Sequence, residues 1–369
     1  MEKAKLAIID DCRQKINHID RELLVLVKKR EHLSAQIGEA KRELSIPDKD
    51  FSREHAVFEH AIACAHELDL PESFAIKMSE LVMGLSLSRQ ERDRIRYNLA
   101  SSPLSVAVIG GSGRLGRWLC HFFADSGHTI TVIDQVKPDF LCSYQTSFDA
   151  TITNHDLIIV ATPIRVSADM LNQLGTYNLA KPVIFDVSSV KAPVRQALLK
   201  LSQQGAKVTS LHPMFGPSVE VLFGKHIIIT SVANNQADNF AKKLFKSTSV
   251  SMVDMSFDQH DQIIAYLLSL SHLLNIIFIG ALEHSGFSID FLSRFSSTTF
   301  SNLLSIAQRV FSENPQLYYE IQALNPYNQA CYQALSRSLA STLSAINTTD
   351  EQAFVSLMRA GQNYLGAKT

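Results

Sequence analysis

The sequence predicts three parts in order: a helical N-terminal part, an α/β part with a parallel sheet, and a helical C-terminal part. In the first part apolar residues recur every three or four positions, and only two of the 15 glycines fall there. In the second, short apolar runs alternate with helical runs. In the last, helical spacing returns and β-favouring runs are rare. We set the boundaries at 1–97, 98–103 (a linker), 104–255 and 256–369.

The composition excludes several classes of protein. The chain has 369 residues, of which 46% are hydrophobic, so it can bury a large core. Its 35 basic and 36 acidic side chains leave no basic surplus, which argues against a nucleic-acid partner. The five cysteines are scattered, without metal-ligand spacing, and the N-terminus has no secretory signal. We therefore expect a soluble cytoplasmic protein without a bound metal.

The first part predicts helices over about 4–44, 49–66 and 71–97. The first of them has no internal proline. At 1.5 Å per residue it would be about 60 Å long, too long to fold back within a small domain.

The second part begins with a strand, a glycine turn and a helix. The turn reads Gly111-Ser112-Gly113-Arg114-Leu115-Gly116, and Asp134 ends the next apolar run about 20 residues later. Such glycines let the backbone approach a pyrophosphate at a helix N-terminus, and the carboxylate accepts from the adenosine ribose. The pattern predicts a Rossmann domain that binds NAD. A carboxylate repels the 2′-phosphate of NADP, although three basic residues keep that cofactor open: Arg114, Arg117 and Lys137.

Later apolar runs (DLIIVATP, PVIFDVSS and HIIIT) predict further strands of a buried parallel sheet. Chemistry in such folds lies beyond the carboxyl ends of the strands. Candidate residues there are Thr162, the SSVK segment at 188–191, and His212 in the sequence HPMFGP.

The chain resembles the prephenate dehydrogenase family in HPMFGP at 212–217, in SSVK before it and in His260-Asp261-Gln262 after it. With its helical N-terminus it resembles the bifunctional family that fuses an AroQ-type chorismate mutase to that dehydrogenase. The resemblance implies isomerisation of chorismate to prephenate, followed by oxidative decarboxylation to 4-hydroxyphenylpyruvate with NAD. It further implies tyrosine biosynthesis, a homodimer, and tyrosine as a candidate feedback inhibitor.

The resemblance also implies a mutase site. Chorismate rearranges without covalent catalysis, so the site must hold a dianion and stabilise charge on the breaking ether oxygen. The implied carboxylate ligands are Arg13, Arg30 and Arg53. The implied ether-oxygen donors are Lys41 and Gln90. Glu54 and Asp50 are implied near the ring hydroxyl, and Ser86 along the pocket wall.

Helix geometry separates Arg13 from the rest of this set. Arg30 and Lys41 are nearly three full turns apart and share a face. Arg13 lies about 25 Å further along the axis from Arg30 and roughly 100° round it. We therefore expect Arg13 to come from the second chain of a homodimer.

In the dehydrogenase half, the resemblance implies that His212 accepts the proton of the ring hydroxyl while hydride leaves for NAD. A histidine suits this role because its pKa lies near neutrality. Lys191 and Thr162 are implied beside the nicotinamide and substrate. His272 is implied near the substrate side chain; the alternative is a hydrogen-bonded core histidine.

One position departs from the family. Its Ser-Pro-x-Tyr-Arg stretch ends in an arginine that binds a substrate carboxylate, whereas here Ser301 stands there. Losing a charged hydrogen bond costs roughly 1.5–3 kcal/mol. Arg294 would compensate if residues 294–301 formed one helix. Two alternatives follow: a dehydrogenase for 4-amino-4-deoxyprephenate, or a C-terminal half that only dimerises and senses tyrosine.

The third part contains an uncharged apolar run, residues 263–282, of about the length of a membrane-spanning helix. Polar residues interrupt the run and basic flanks are missing, so we expect no membrane association. We expect a helix buried on all sides, as in an obligate dimer interface.

Overall fold

The computed structural model describes residues 2–44, 51–97, 102–219 and 222–366. It has two compact units. The first contains Met1–Thr162, Thr176–Val187 and Ser202–Asp254. The second contains Pro163–Gly175, Ser188–Leu201 and Met255–Thr369.

The predicted fold class, in which helices flank a Rossmann domain, is confirmed. The helices are α1 (Glu2–Glu43), α2 (Phe51–Glu67), α3 (Glu72–Tyr97), α4 (Arg114–Asp125), α5 (Ile164–Leu174), α6 (Ala192–Gln203), α7 (Asn235–Leu244), α8 (Phe257–Ile264), α9 (Ser271–His284), α10 (Ile289–Ser293), α11 (Thr298–Phe311), α12 (Pro315–Leu324), α13 (Asn328–Asn347) and α14 (Glu351–Tyr364). A 3₁₀ turn spans Ala150–Asn154, and a π-helical segment, Ala265–Leu270, joins α8 to α9. The three-domain boundaries remain a prediction.

The helix α1 is continuous, as its uninterrupted periodicity predicts. Its C-terminal half packs on α3, but every described residue from 5 to 26 is exposed. Ile8 is 62% exposed and Leu24 71% exposed. The N-terminal half of α1 therefore presents apolar side chains that this chain does not cover.

The first unit is built around one mixed sheet. Its strands are β1 (Ser105–Ile109), β2 (Thr129–Ile133), β3 (Ser143–Gln145), β4 (Leu157–Val160), β5 (Val183–Asp186), β6 (Lys207–Pro213), β7 (His226–Thr230) and β8 (Ser251–Met255). They lie in the order β3-β2-β1-β4-β5-β6-β7-β8, with β1 to β6 parallel. The order reverses between β1 and β4, which is where doubly wound sheets bind dinucleotides.

The strand β7 corrects one expectation. Its sequence HIIIT predicts another parallel strand, but β7 runs antiparallel to β6, with His212 opposite Ile228. A parallel connection needs a crossover, usually a helix. Residues 214–225 contain no helix in their described part, so the chain turns back on itself.

The core of the first unit lies where β1, β4 and β5 meet α4. Val108, Ile159 and Phe185 are fully buried, and Leu119 and Phe123 of α4 pack with them in one cluster. Fully burying one such side chain contributes about 1.5–3 kcal/mol. This packing fixes α4, and with it the glycine turn that precedes the helix.

The apolar helix of the second unit, which we expected to be buried on all sides, is partly exposed in the single chain. Within the described residues one helix, Phe257–His284, is long and apolar enough to cross a membrane by length and composition alone. In the single chain Leu267 is 55% exposed and Ile277 52% exposed. Burial on all sides is therefore wrong for the isolated chain, and burial against a second copy remains a prediction.

Candidate active sites

The structure brings Arg30 and Ser86 together between α1 and α3. Arg30 Nη1 donates to Ser86 Oγ at 2.6 Å and to the Val82 carbonyl at 3.1 Å. Ser86 Oγ in turn donates to the same carbonyl at 3.0 Å. The guanidinium is thus held in place against α3.

The next turn of each helix adds Gln90 to this pocket. Gln90 is 8% exposed, and its Nε2 donates to the carbonyl of Ser34 at 2.7 Å and to Ser34 Oγ at 2.8 Å. Sequence reasoning missed Ser34, although its position one turn after Arg30 on the same helix could have suggested it. Lys41, two turns further along α1, is half-buried.

Of the remaining predicted mutase residues, the described part of the chain shows a side chain only for Arg13, and Arg13 is not brought to this pocket. Arg13 lies on the exposed half of α1, where it pairs with Asp10 at 3.4 Å. The continuous helix separates it from Arg30 by about 25 Å. Asp50 lies outside the described residues. Arg53 and Glu54 belong to the first turn of α2, and their side chains also lie outside the described part.

The glycine turn between β1 and α4 is close-packed. A Cβ on Gly116 would lie 2.1 Å from the Gly110 oxygen, and one on Gly111 would lie 3.0 Å from the Val132 methyls. Gly113 is less crowded, at 3.3 Å. Gly110, which we had not singled out, has φ +84° and would clash with the Ala161 oxygen at 2.6 Å. Side chains are therefore excluded at Gly110, Gly111 and Gly116, as the close-packed turn of a pyrophosphate cradle requires.

Asp134 lies against this turn. Its Oδ2 accepts from the Ser112 N–H at 3.0 Å, and its Oδ1 accepts from the Val136 N–H at 3.0 Å. Each oxygen keeps a second lone pair. Among the described residues, no side chain caps the N-terminus of α4, so its amides can face an anion. The turn and carboxylate fit a dinucleotide.

The neighbouring Arg117 bears on the choice of cofactor. Its Nη1 pairs with Asp139 at 2.7 Å, and its guanidinium stands 5.9 Å from the Phe140 ring centroid. Arg117, one of the three basic residues that left NADP as a possible cofactor, is thus already paired with a carboxylate. Asp134 lies directly against the turn, which favours NAD.

Thr162 and His212 lie at the ends of two strands of the same sheet, β4 and β6, which β5 separates. Thr162 comes after β4, and its backbone N lies 2.9 Å from a Cβ built on Gly110, so the glycine turn passes directly beside it. His212 lies near the end of β6 and is 3% exposed. Both residues therefore lie at the carboxyl ends of strands, as predicted.

Lys191 lies in the second unit, directly before α6, and is fully buried. Its backbone N–H donates to Asp261 Oδ1 at 2.9 Å, and the Ala192 N–H donates to Oδ2 at 2.7 Å. His260 Nδ1 is 2.7 Å from the same Oδ1. Sequence reasoning gave Asp261 no role, although an acidic residue directly after a histidine, early in a helix, was a usable signal.

His272, in α9, is half-buried, and its ring meets the Tyr318 ring at a tilt of 42°, with centroids 4.2 Å apart. Its Nδ1 has no hydrogen-bond partner in the described part of the chain. Burial lowers the pKa of His272 to about 4. The imidazole is therefore neutral near pH 7.

The surroundings of Ser301 correct the expectation for Arg294. Ser301 lies in the first turn of α11, and its Oγ donates to Ser296 Oγ at 2.9 Å. Arg294 caps the end of α10, and Ser297 caps a new helix. Residues 294–301 are therefore not one helix, because α10 ends at Ser293 and Ser297 caps the start of α11. The same-face argument for Arg294 is wrong.

Comparison with known families divides the chain into three matched segments. Residues 12–91 match chorismate mutase type II. Residues 127–253 match the nucleotide-binding domain of prephenate dehydrogenase, and residues 256–360 match its dimerization domain.

Three curated relatives match at low identity. A T-protein of Enterobacter agglomerans is 24% identical over 96% of this chain and 92% of that protein. A probable arogenate/prephenate dehydrogenase of Methanocaldococcus jannaschii is 22% identical over 73% of this chain, but the match spans only 63% of that protein. A 4-amino-4-deoxyprephenate dehydrogenase of Streptomyces pristinaespiralis is 24% identical over 70% of this chain and 90% of that protein.

A solved structure shares the fold of the last two segments. It is the prephenate dehydrogenase of A. aeolicus in complex with hydroxyphenyl propionate and NAD+. The two chains superpose with a TM-score of 0.59 at 17% identity, over 72% of this chain and 98% of that one.

Proposed function

Since this chain belongs to the family that joins a type II chorismate mutase to a prephenate dehydrogenase, we propose that it isomerises chorismate to prephenate and then oxidatively decarboxylates prephenate to 4-hydroxyphenylpyruvate with NAD. It is an isomerase and an oxidoreductase of tyrosine biosynthesis. One observation carries this conclusion: the Arg30–Ser86–Gln90 pocket and the His212 strand end occur in one chain.

In the mutase step, the chain's residues bind and orient the substrate. Arg30 takes one carboxylate, and Ser86 fixes the guanidinium. Gln90 and Lys41 donate to the ether oxygen as negative charge develops there. Both amide hydrogens of Gln90 reach Ser34, so one of them leaves Ser34 for the substrate.

A second copy of the chain completes the mutase pocket. Arg13 projects from the exposed half of α1, and the apolar residues beside it are uncovered. A homodimer buries this face and brings Arg13 of each chain to the other chain's pocket. The family resemblance assigns the remaining carboxylate and ring contacts to Arg53, Glu54 and Asp50. The free, scattered cysteines support a cytoplasmic location.

In the dehydrogenase step, the glycine turn and Asp134 hold NAD, which supplies a hydride acceptor when bound. His212 accepts the proton of the ring hydroxyl as the carbonyl forms, and its burial excludes water from that proton. Lys191 and Thr162 orient the substrate and the nicotinamide. Neutral His272 binds the substrate side chain without adding charge. Loss of carbon dioxide then aromatises the ring.

The experiment that tests this function gives the purified protein prephenate and excess NAD and follows NADH at increasing prephenate concentration. We expect saturable NADH formation. Chorismate consumption by the same preparation serves as the internal control. Active mutase with no NADH at any prephenate concentration would contradict the oxidoreductase assignment.

A second candidate substrate for the dehydrogenase half is 4-amino-4-deoxyprephenate. Ser301 in place of the family's arginine favours it, and so does the similarity to the Streptomyces pristinaespiralis protein. Comparing kcat/KM for the hydroxy and amino substrates decides between them. If calorimetry shows no NAD binding, the C-terminal half instead dimerises and senses tyrosine; a mutase rate unchanged by tyrosine would exclude the sensing role.

A further inference from the structure

Glu91 stands where α3 leaves the other N-terminal helices and packs on the sheet of the same unit. Its carboxylate is buried, with 4% of the residue exposed. Oε2 accepts from the Leu222 N–H at 2.8 Å, and Oε1 accepts from the Ser249 N–H at 2.7 Å. One side chain thus holds the backbone of two separate loops.

Arg94 reinforces this attachment one turn later. Its guanidinium donates to the Ser247 carbonyl, and its Nη2 donates to Ser249 Oγ at 3.2 Å. Hydrogen bonds to charged groups are roughly twice as strong as neutral ones. The end of α3 is therefore fastened to the sheet by charged groups as well as by apolar contact.

The loop held at Leu222 is the one that follows His212 and Pro213. Its opposite side is held by α4, because Trp118 Nε1 donates to the Val219 carbonyl at 3.0 Å. The Trp118 ring also meets Phe215 edge-on, with centroids 5.1 Å apart. The loop is thus fixed between Trp118 and Glu91, and it cannot shift at Leu222 without breaking a buried charged hydrogen bond.

The other face of α3 belongs to the mutase pocket. Successive helical residues point about 100° apart. Gln90 reaches Ser34 of α1, whereas Glu91 reaches the loops at Leu222 and Ser249. Ser86, one turn earlier, holds Arg30. A single helix therefore carries pocket residues of one activity and the anchor of the other.

We propose that Glu91 is a positioning residue for the dehydrogenase: it fixes the loop after His212 to the helix that forms the mutase pocket. This inference rests on the proposed role of His212. Glu91 touches neither substrate nor cofactor in this role. It acts through the loop, so its removal changes the turnover of prephenate and leaves chorismate turnover in place.

The test compares E91Q and E91A with the native full-length protein. The E91Q variant keeps one acceptor oxygen and sets an amide N–H against a backbone N–H, whereas E91A removes both bonds. D93N is the matched control, because Asp93 lies on the same helix and, among the described residues, pairs locally with Arg89, at 2.8 Å. Trp118 is the chain's single tryptophan, so its emission reports on this loop.

We expect kcat for NADH formation to fall about tenfold in E91Q and further in E91A, with KM for NAD changed less than threefold. Chorismate turnover stays within about twofold of native, and Trp118 emission shifts to the red as the indole gains solvent. D93N matches the native protein in every readout.

Two results overturn the proposal. One is native NADH kcat and native Trp118 emission in folded E91Q and E91A. The other is an equal loss of both activities, which shows a merely structural carboxylate. If the native protein itself forms no NADH, the proposed function fails, and the Trp118 emission of E91Q still decides whether Glu91 holds the loop.

Discussion

The two candidate sites differ in how much of each a single chain builds. The mutase pocket is made from long side chains on α1 and α3, and Arg13 stays exposed about 25 Å away. The dehydrogenase site is built mainly on the backbone of one chain. Its glycine turn is so close-packed that a Cβ on Gly116 would lie 2.1 Å from the Gly110 oxygen, and His212 lies on a central strand, 3% exposed.

This difference follows from the two architectures. A helix about 60 Å long has more apolar surface than its own chain can cover, so its site is finished by assembly. A parallel sheet is covered on both faces by its own crossovers, so its strand ends form a site before any partner arrives. A mutation in one site should therefore lower one activity and spare the other. Mixing two differently mutated chains should restore activity only in the mutase.

The largest expected effect comes from H212N. Without the proton acceptor, NADH formation should fall by about 10²–10⁴-fold, while chorismate turnover stays within about twofold of native. Steady-state assays of both reactions measure this. H155N is the control. His155 is also buried in this unit, but among the described residues its ring Nδ1 contacts the nearby Ile152 carbonyl oxygen. Equal loss of both activities in H212N would contradict separate sites.

The second prediction concerns the shared pocket. R13A and R30A should each lower mutase kcat/KM by about 10–100-fold, since each removes a charged partner of a carboxylate. Unfolding and refolding the two variants together in equal amounts should restore about a quarter of native activity, because half of the dimers then hold one intact site. No recovery on mixing would show that Arg13 acts within its own chain.

The third prediction restores the family's arginine at 301. If prephenate is the substrate, S301R should lower KM for prephenate about tenfold or more by adding a charged hydrogen bond to a carboxylate. Mutase kinetics serve as the internal reference. S305R, one turn further along α11 on an exposed position, should leave KM unchanged. An S301R protein that favours the amino analogue instead would support the second candidate substrate.

The smallest expected effect is a pH dependence of stability at His272. Its folded pKa, lowered to about 4 by burial, lies below the unfolded value near 6.5. As pH falls from about 6.5 towards 4 the unfolded chain takes up a proton that the folded chain does not, so stability is lost in that window. The drop in Tm between pH 7 and pH 5 should therefore be smaller in H272F than in native protein.

The exposed His284 of α9 provides the matched control for this experiment. H284N should show the native drop in Tm, because His284 is exposed and its bond to the Gly280 carbonyl is local. An equal pH response in H272F and native protein would refute the assignment of this window to His272.

Sequence reasoning was strongest where a feature is local. Short-range patterns predict the length of α1, the glycine turn, and the position of His212 at the end of a strand. They do not predict the reversal at β7, because HIIIT reads alike in parallel and antiparallel strands and the connection decides its direction. They do not predict the interruption between α10 and α11 either, since capping by Ser297 competes with helical propensity there.

The residues that sequence reasoning missed bind backbone at a distance. Glu91 meets Leu222, 131 positions away, and Asp261 meets Lys191, 70 positions away. Nothing in the neighbouring sequence marks Glu91, because a buried carboxylate looks like any other acid on a helix until the fold is known, whereas Asp261 at least stands in the His260-Asp261-Gln262 motif. Gly110 differs, since its positive φ and the approach of Ala161 follow from strand β4 passing beside the turn.

The central claim is that one chain carries two consecutive reactions on separately built sites. The most direct test gives the full-length protein chorismate and NAD alone and measures chorismate, prephenate, NADH and 4-hydroxyphenylpyruvate together. We expect about one NADH and one 4-hydroxyphenylpyruvate per chorismate consumed in the native protein, and prephenate accumulation without NADH in H212N. Prephenate accumulation without NADH in the native protein would contradict the account.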